Sequence, residues 1–520
     1  MKSSPIAALL ALAIAVAPLT GAHPQVALPA LGDAAAGDMG VNVERRLGDQ
    51  VMREIRRDPD YLDDPVLLDY VQSLWAPLME VARRRGEISP EIASAFAFET
   101  FLIRDRSVNA FALPGGFVGV FLGLMAMTGS ADELASVLAH ELSHVTQRHI
   151  ARGSATAQRQ SLVGMAAMII GLMAANRARN SDMAQAAIIG TQAALAQAQL
   201  NYSRDMEREA DRIGFSLFAG AGYAPGGVVA MFEKLDHQHR LNDSGAFPYL
   251  RSHPLTTERI GEARDRVAAF VPTQAPISRA LEHSLMQARA RVLMDANVGS
   301  FKRHQAAPAP TSLALGERLG VLYATALSSL LLDESDKALA ALQPALRLLE
   351  PIKRQEPRAW RSLVLLQAQA LSARGDGAGA AQQLATLAGD SRVELFARSE
   401  LTLARVRAGE RSLALRPSVE ALQTWVADHK DDALAWSLLA QAAELDGQPL
   451  RAVRAQAEAR AAQGDLQGAI DRLRSGQRLA RAAISPDFVE ASIIDARVRV
   501  LEAQWRQRLR ELRGERVFED

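Results

Sequence analysis

The sequence contains no cysteine and few aromatic residues. Zero cysteines among 520 residues exclude a disulfide framework and cysteine-protease chemistry. Aromatic residues make up only 5% of the chain, whereas runs of alanine and leucine are frequent. This composition favours closely packed helices over a β-sandwich. We therefore expect a mainly α-helical protein of two or three domains, held together by core burial and by any metal it binds.

An excess of charge of either sign is also absent. Lysine plus arginine and aspartate plus glutamate both total 59, so the formal net charge is zero. A neutral chain has no overall electrostatic attraction to a polyanion. The sequence therefore predicts no nucleic-acid partner.

Long apolar runs are lacking as well, and the first of the short ones predicts an export signal. Lys2 precedes an apolar run over residues 6–16, and small residues follow at positions 20–22. We predict a cleaved signal peptide over residues 1–22 and a flexible segment over 23–40. The run is too short to span a bilayer in the usual way, and no cysteine follows it, so a lipoprotein is not expected. An uncleaved anchor is the alternative.

A second apolar run covers residues 162–175, 14 residues flanked by arginines, and is also too short to span a bilayer. With residues 186–200 it predicts a buried helical hairpin. A lid, or an element lying on a membrane surface, is the alternative. Peripheral contact with a membrane therefore remains open.

The only clear β pattern lies between residues 94 and 124. The segments SAFAFETFLI and NAFALPGGFVGVFLGL predict two strands and a Pro-Gly-Gly turn that leads into a helix. Helical periodicity covers residues 43–85 before this pattern. It resumes at Ala131, where Ser130 can cap a helix expected to run to about Ala151.

Proline-bearing loops between residues 272 and 310 predict a domain boundary crossed by few contacts. This divides the chain into domains over residues 41–272 and 273–515. The second domain reads as successive helices whose turns carry glycine. The first two intervals, 34 and 38 residues, are close to a tetratricopeptide repeat and predict a helical solenoid with a binding surface. A purely structural helical domain is the alternative. The turn glycines are Gly375, Gly409, Gly447 and Gly464.

The motif HELSH places two histidines four residues apart on the helix that starts after Ser130. Four residues turn a helix by about 400°, so His140 and His144 lie about 40° apart on one face. Two neutral imidazoles in this position can share a zinc ion. Glu141 can then accept a proton from a water molecule at the metal.

A second helical segment, NYSRDMEREADRIG, carries two carboxylates four residues apart. We assign Glu207 as the third zinc ligand. Asp211, one turn later, is assigned to accept the ring N–H of a ligating histidine and so fix its tautomer. The alternatives are that Glu207 lies on a solvated helix face, or that Glu209 is the ligand instead.

Two further histidines are harder to place from the sequence. His149 lies five residues after His144, so an unbroken helix would point it away from the metal. We expect it to be a surface or packing residue. His253 lies in the segment SHPLTTERI, where spacing alone predicts a turn histidine.

Together these motifs resemble a family of zinc endopeptidases that includes the CAAX prenyl proteases and HtpX. The resemblance rests on HELSH, on EREAD from Glu207 to Asp211, on NAFALPGG over residues 109–116, and on His253 followed by proline with Arg259 beyond. A cleavable signal, the absence of predicted spans, the helical repeats and the segment IIDARVRVLE extend it to periplasmic members from Gram-negative bacteria. It implies an α+β gluzincin-type peptidase domain that binds one Zn²⁺ per chain in the periplasm.

The resemblance also implies roles for individual residues. His140, His144 and Glu207 would be ligands and Glu141 the catalyst, while His253 would be a removable fourth ligand that keeps the enzyme latent. A competing role for His253, or for Arg259, is to stabilise the transition state. An edge strand would pair with an extended substrate. Its residues are Asn109, Ala110, Phe111, Ala112 and Leu113.

The substrates and partners that the resemblance implies belong to the outer membrane. Unfolded or misassembled outer-membrane β-barrel proteins would be degraded, and the helical repeats would bind the outer-membrane β-barrel assembly machinery. The alternative is a chaperone or scaffold that binds this machinery with little proteolysis.

Overall fold

The computed structural model describes residues 39–154, 204–241, 248–271, 278–410, 412–485 and 487–512. The predicted signal peptide, nearly all of the segment 23–40 and the two apolar segments 162–175 and 186–200 lie outside these ranges. Met39, near the end of the segment predicted to be flexible, is buried. Within the described ranges, no helix is both long and apolar enough to cross a membrane.

The first half of the chain is mostly helical with one small sheet, as the composition predicts. Its elements, in chain order, are α1 Val41–Ile55, β1 Tyr61–Leu62, α2 Pro65–Arg84, α3 Pro90–Ala95, β2 Glu99–Ile103, β3 Ala110–Leu113, β4 Phe117–Phe121, α4 Leu122–Met127, α5 Ala131–Thr146, α6 His149–Ser154, α7 Arg204–Gly220, α8 Gly226–Leu241, α9 Tyr249–Ser252 and α10 Thr257–Ala269.

The sheet has the strand order β1-β2-β4-β3, so β3 is an edge strand among the described residues. Strand β2 runs parallel to β4, and β3 pairs antiparallel with β4. Gly115 and Gly116 in the connecting turn have φ of 76° and 87°, a conformation that favours glycine. The Pro-Gly-Gly turn is confirmed, and the segment predicted to contain two strands contains three, β2, β3 and β4. The two-residue strand β1 was not predicted, because it falls within a segment whose periodicity is helical.

Helix α5 begins where the sequence predicts and ends earlier. The Ser130 hydroxyl accepts a hydrogen bond from the Glu133 N–H at 3.1 Å and caps the helix. The helix ends at Thr146, and Arg148 then adopts a φ of 50° before α6 starts. The expected continuation to Ala151 is therefore wrong, because a left-handed residue interrupts the helix.

Helices α5 and α7 cross closely beside His140. A side chain at Gly214 of α7 would come within 3.2 Å of the Ala139 carbonyl and the His140 nitrogen, both in α5. Most of α5 is buried, including Leu134, Leu138 and Leu142. A close backbone approach in a rigid core fixes where the polar side chains of these two helices meet.

The second half of the described chain is a succession of helices, each packed against its neighbour in sequence. All four glycines that predict turns have positive φ and follow helix ends. The helices are α11 Ala280–Leu293, α12 Val298–Gln305, α13 Leu315–Leu331, α14 Ser335–Leu349, α15 Pro357–Ala373, α16 Gly377–Leu384, α17 Arg392–Arg407, α18 Arg416–Asp428, α19 Ala433–Leu445, α20 Pro449–Ala462, α21 Leu466–Ala482 and α22 Phe488–Leu512.

Many contacts cross the predicted boundary at residue 272, contrary to expectation. Arg289 of α11 makes a two-pronged, buried ion pair with Asp64, at 2.8 and 2.7 Å. His283 lies 2.6 Å from the Tyr70 hydroxyl and 3.0 Å from the Thr128 carbonyl oxygen. One hydrophobic core continues from the first half of the described chain into these helices. The boundary stays a prediction, but the expectation that few contacts cross it is wrong, because α11 fills part of the first core.

Two further ion pairs join the second half of the described chain to the first half, one from its middle and one from its last helix. Arg361 of α15 pairs with Asp69 at 2.6 Å. An ion pair at 2.6 Å joins Arg508 of the last helix to Glu54 of the first. The helices of residues 280–512, called the helical region below, therefore contact the first half of the described chain through both the first and the last of them.

We expect Arg289→Ala to lower the free energy of unfolding by about 3–5 kcal/mol, because it leaves the buried Asp64 carboxylate without its partner. Arg416→Ala is the control, since Arg416 pairs with Glu420 at an exposed site. That change should cost less than about 1 kcal/mol. Urea denaturation of the full chain measures both. Equal, small effects would contradict a shared core.

Candidate metal centre

Two histidines of α5 project together from one face of the helix. The Nε2 atoms of His140 and His144 are 3.0 Å apart, and both side chains are buried. This is the arrangement that the HELSH spacing predicts. It presents two ring nitrogens to one point in the core.

A carboxylate and a third imidazole complete the cluster. One Glu207 oxygen lies 3.4 Å from His140 Nε2, and the other lies 3.4 Å from His144 Nε2. His253 Nδ1 lies 2.9 Å from Glu207 Oε1 and 3.3 Å from His140 Nε2. These four residues can each offer one ligand atom, all within 4.8 Å of one another. Helix α7 therefore brings Glu207, and not Glu209, to the histidines.

The separations of these atoms fit a tetrahedral zinc ion. Ligand atoms about 2.0–2.1 Å from a tetrahedral zinc lie roughly 3.3–3.4 Å from one another. Five contacts among these residues, counting both Glu207 oxygens, lie between 2.9 and 3.4 Å, and all four ligand atoms lie within 4.8 Å of one another. Two imidazoles and a carboxylate are a usual donor set for catalytic zinc, and His253 takes the fourth position. The residues present therefore fit the predicted metal.

Glu141 lies beside the cluster in the position of a proton acceptor. Its side chain is 0% exposed, and neither carboxylate oxygen has a hydrogen-bond partner among the described residues. His253 Nε2 lies 3.5 Å from one of these oxygens. Buried carboxylates without partners are rare in cores, and their presence at an active site indicates a missing polar partner such as water.

Asp211 and Arg259 support the ligands from behind. Asp211 lies 3.1 Å from His140 Nδ1, as the sequence predicts for a residue that fixes the histidine tautomer. Arg259 contacts both Asp211 oxygens, at 2.7 and 2.9 Å, and a Glu207 oxygen at 2.8 Å. Its guanidinium is thus directed at two carboxylates. We interpret Arg259 as a positioning residue and not as an oxyanion donor.

The pKa values of His140 and Glu207 are set by their contacts with each other, with Asp211 and with His253. Burial alone would lower the pKa of His140, but hydrogen bonds with Asp211 and Glu207 outweigh it and raise the pKa to about 10. Burial would raise the pKa of Glu207, but the nearby His253 and His140 hold it well below its usual range. These pairs favour the anionic form of Glu207, which is the form in which a carboxylate binds a metal.

His149 corrects the expectation that it is a surface or packing residue pointing away from the metal. Its Nδ1 lies 2.8 Å from His144 Nδ1, and its Nε2 lies 3.0 Å from Glu209. Arg152 also contacts Glu209, at 2.8 Å. The helix break at Arg148 turns His149 back toward the site. Sequence spacing could not reveal this, because it assumes an unbroken helix.

The predicted substrate strand begins close to the cluster. Asn109 immediately precedes β3, and its Oδ1 is buried without a hydrogen-bond partner among the described residues. The Tyr249 N–H donates to the Val108 carbonyl at 3.4 Å, and the Tyr249 ring stacks on His253 at 4.6 Å. Tyr249, which the sequence analysis did not select, therefore connects the strand to the cluster.

We expect His149→Phe to weaken zinc binding by about 10–100-fold, because it removes the group that holds the His144 ring. The exposed His237 of α8 provides the matched control, His237→Phe. Competition with a zinc-binding dye measures both affinities. An unchanged affinity in His149→Phe would show that His144 needs no support from His149.

Comparison with known proteins gives evidence about the family of this chain, which the geometry of the cluster alone does not provide. Residues 78–267 match the model of peptidase family M48. A relative from Vibrio cholerae is 35% identical over 291 residues, which are 56% of this chain and 57% of that protein. The β-barrel assembly-enhancing protease of Escherichia coli K12 is 29% identical over 91% of this chain and 90% of its own length.

More distant similarity reaches eukaryotic metalloendopeptidases. The mitochondrial metalloendopeptidase OMA1 of Saccharomyces cerevisiae is 26% identical over 195 residues, or 36% of this chain and 53% of its own length. The matched family segment contains every residue of the metal cluster. Residues 78–267 are therefore a peptidase family M48 domain, and the chain is a zinc metalloendopeptidase.

Proposed function

We propose that this endopeptidase degrades unfolded or misassembled outer-membrane β-barrel proteins in the periplasm and assists their assembly. The observation that carries the proposal is the buried cluster of four donor atoms beside the Glu141 carboxylate, which has no hydrogen-bond partner among the described residues. The relatives from Escherichia coli and Yersinia pestis are named β-barrel assembly-enhancing proteases, and this name supports barrel proteins as the substrate class. Those names describe proteases, which favours proteolysis over a chaperone or scaffold that cleaves little.

Different side chains of the cluster have different roles in peptide hydrolysis. When bound, zinc supplies a Lewis acid that activates water and polarises the scissile carbonyl. Glu141 accepts the proton of the attacking water and passes it to the leaving amine. Asp211 and His149 hold the rings of His140 and His144 in orientation.

Strand β3 is suited to hold an extended substrate. Among the described residues it has a neighbour on one side only, so its other edge can pair with a polypeptide backbone. The orphan Oδ1 of Asn109 can accept an N–H from that backbone. An unfolded barrel protein is rich in segments that favour extended strands. This supports such chains as substrates.

We also infer that His253 restrains the enzyme. Its Nδ1 takes the fourth position of the cluster, which a catalytic site leaves to water. A short helix, α9, ends immediately before it, and Tyr249 of that helix stacks on its ring. Movement of α9 would withdraw His253 and admit water and substrate.

The helical region is the proposed binding element for the outer-membrane assembly machinery. Most of its helices are joined by turns of three to five residues, and each packs against its neighbour in sequence, which tetratricopeptide repeats also do. Repeated pairs of this kind form extended concave surfaces. The export signal and the periplasmic location belong to the same proposal.

We expect Glu141→Gln to retain zinc and to lower cleavage of an unfolded outer-membrane barrel protein by about 100–10,000-fold, because an amide cannot accept the proton. His140→Ala, His144→Ala and Glu207→Ala should lose both zinc and cleavage. Zinc is measured by metal analysis and cleavage by gel. An unfolded soluble protein serves as the substrate control.

Two results would contradict different parts of this proposal. Undiminished cleavage by purified, zinc-loaded Glu141→Gln would eliminate Glu141 as the proton acceptor. Equal cleavage of the barrel and soluble substrates by the wild type would contradict the assignment of barrel proteins as substrates, but not the peptidase activity.

The two roles open for His253 predict opposite effects of His253→Ala. If the residue blocks the fourth position, the substitution should increase cleavage, because water and substrate can then reach the metal. If it stabilises the oxyanion, loss of one donor should lower the rate about 100-fold or more. We expect the increase. Initial rates of zinc-loaded wild type and variant decide between them, and a fall of that size would disprove the blocking role.

A further inference from the structure

A second polar cavity lies away from the metal centre, where the helical region meets the peptidase region. It has a volume of about 500 Å³, within the range of small-molecule pockets. Its walls come from the loop before β3, from α4, and from α11, α12 and the segment between these two helices. Neither the proposed proteolysis nor the metal cluster uses any of these walls.

The charged side chains that line this cavity are mostly basic. Arg106, Arg291 and Arg303 contribute three guanidinium groups, and Asp295 is the one carboxylate among the described lining residues. Two positive charges therefore remain unbalanced. Burial lowers the pKa of His304, which disfavours a further positive charge on this lining residue.

Each of the arginines contacts a neighbour, and the side chains of Arg106 and Arg303 remain 64% and 70% exposed. Asp295 pairs with Arg106 on one side and, at 3.2 Å, with Arg303 on the other. Arg291 donates to the Ala126 carbonyl at 3.1 and 3.3 Å. A guanidinium has five N–H donors, and these contacts use at most two of them on each arginine. Several donors therefore remain for a ligand in the cavity.

A charged, planar donor set of this kind is the usual partner of phosphate oxygens. Guanidinium groups bind phosphate through paired, charge-assisted hydrogen bonds. The apolar wall formed by Ala126, Met127 and others leaves room for a group attached to the phosphate.

We propose that this cavity binds a phosphate group, either as a free anion or as part of a lipid headgroup. The site is separate from the proteolytic function proposed above. Because Arg106 lies three residues before Asn109 and the substrate strand, a ligand here would contact the loop that leads into that strand.

The experiment measures binding of inorganic phosphate to the zinc-loaded full chain by calorimetry, at constant ionic strength with chloride as the balancing anion. Constant ionic strength matters because salt screens exposed charges. The double variant Arg291→Gln with Arg303→Gln should weaken binding at least about tenfold. Arg264→Gln with Arg416→Gln removes the same charge at exposed sites and should bind as the wild type does.

A lipid source is tested with vesicles of phosphatidic acid in phosphatidylcholine against phosphatidylcholine alone. Binding only to the acidic vesicles, lost in the Arg291/Arg303 double variant, would support a headgroup. Loss of free-phosphate binding in that variant would support a soluble ligand. No binding of either probe, or binding equal in both double variants, would overturn the proposal. Melting temperature and zinc content confirm that the variants are folded.

Discussion

The peptidase region depends on the burial of several carboxylates around one point. Glu141, Glu207 and Asp211 are all buried, and Arg259 is the permanent cation among them. Arg259 contacts Glu207 and Asp211, because buried charges are costly unless they are paired. A divalent cation held by the histidines and Glu207 would add positive charge at the same point. The metal would therefore serve the electrostatics of this core as well as supply its chemistry.

The surrounding elements can be understood as supports for this charged cluster. The close crossing at Gly214 brings α7 against α5, which sets the distance between Glu207 and the histidines. Arg148 breaks α5 and directs His149 at His144. Each imidazole from α5 therefore has its own contact, Asp211 for His140 and His149 for His144. Such partners commonly control both the affinity for the metal and the orientation of its ligands.

The helical region is joined to the peptidase region through a shared core and ion pairs. The buried pair of Arg289 and Asp64 lies at one end of this contact, and the pair of Arg508 and Glu54 lies near the other. The two regions therefore share packed side chains and do not meet only at a linker. Helix α2, which carries Asp69 and Tyr70 at this contact, also packs against α5.

The sequence by itself determined the chemistry and the local structure that displays it. The four-residue spacings in HELSH and EREAD require one helix face each, the Ser130 cap starts α5, and the Pro-Gly-Gly turn joins β3 to β4. Short-range geometry decides all of these, so a pattern of neighbouring residues is enough to predict them.

Only the tertiary structure decided how distant segments meet. A positive φ at Arg148, the approach of Tyr249 to His253 and the packing of α11 into the first core have no short-range signature. Each depends on contacts between residues far apart in sequence. The roles of His149 and Tyr249, and the extent of packing across residue 272, therefore could not follow from spacing, because spacing describes a single helix or strand and not the core in which it is buried.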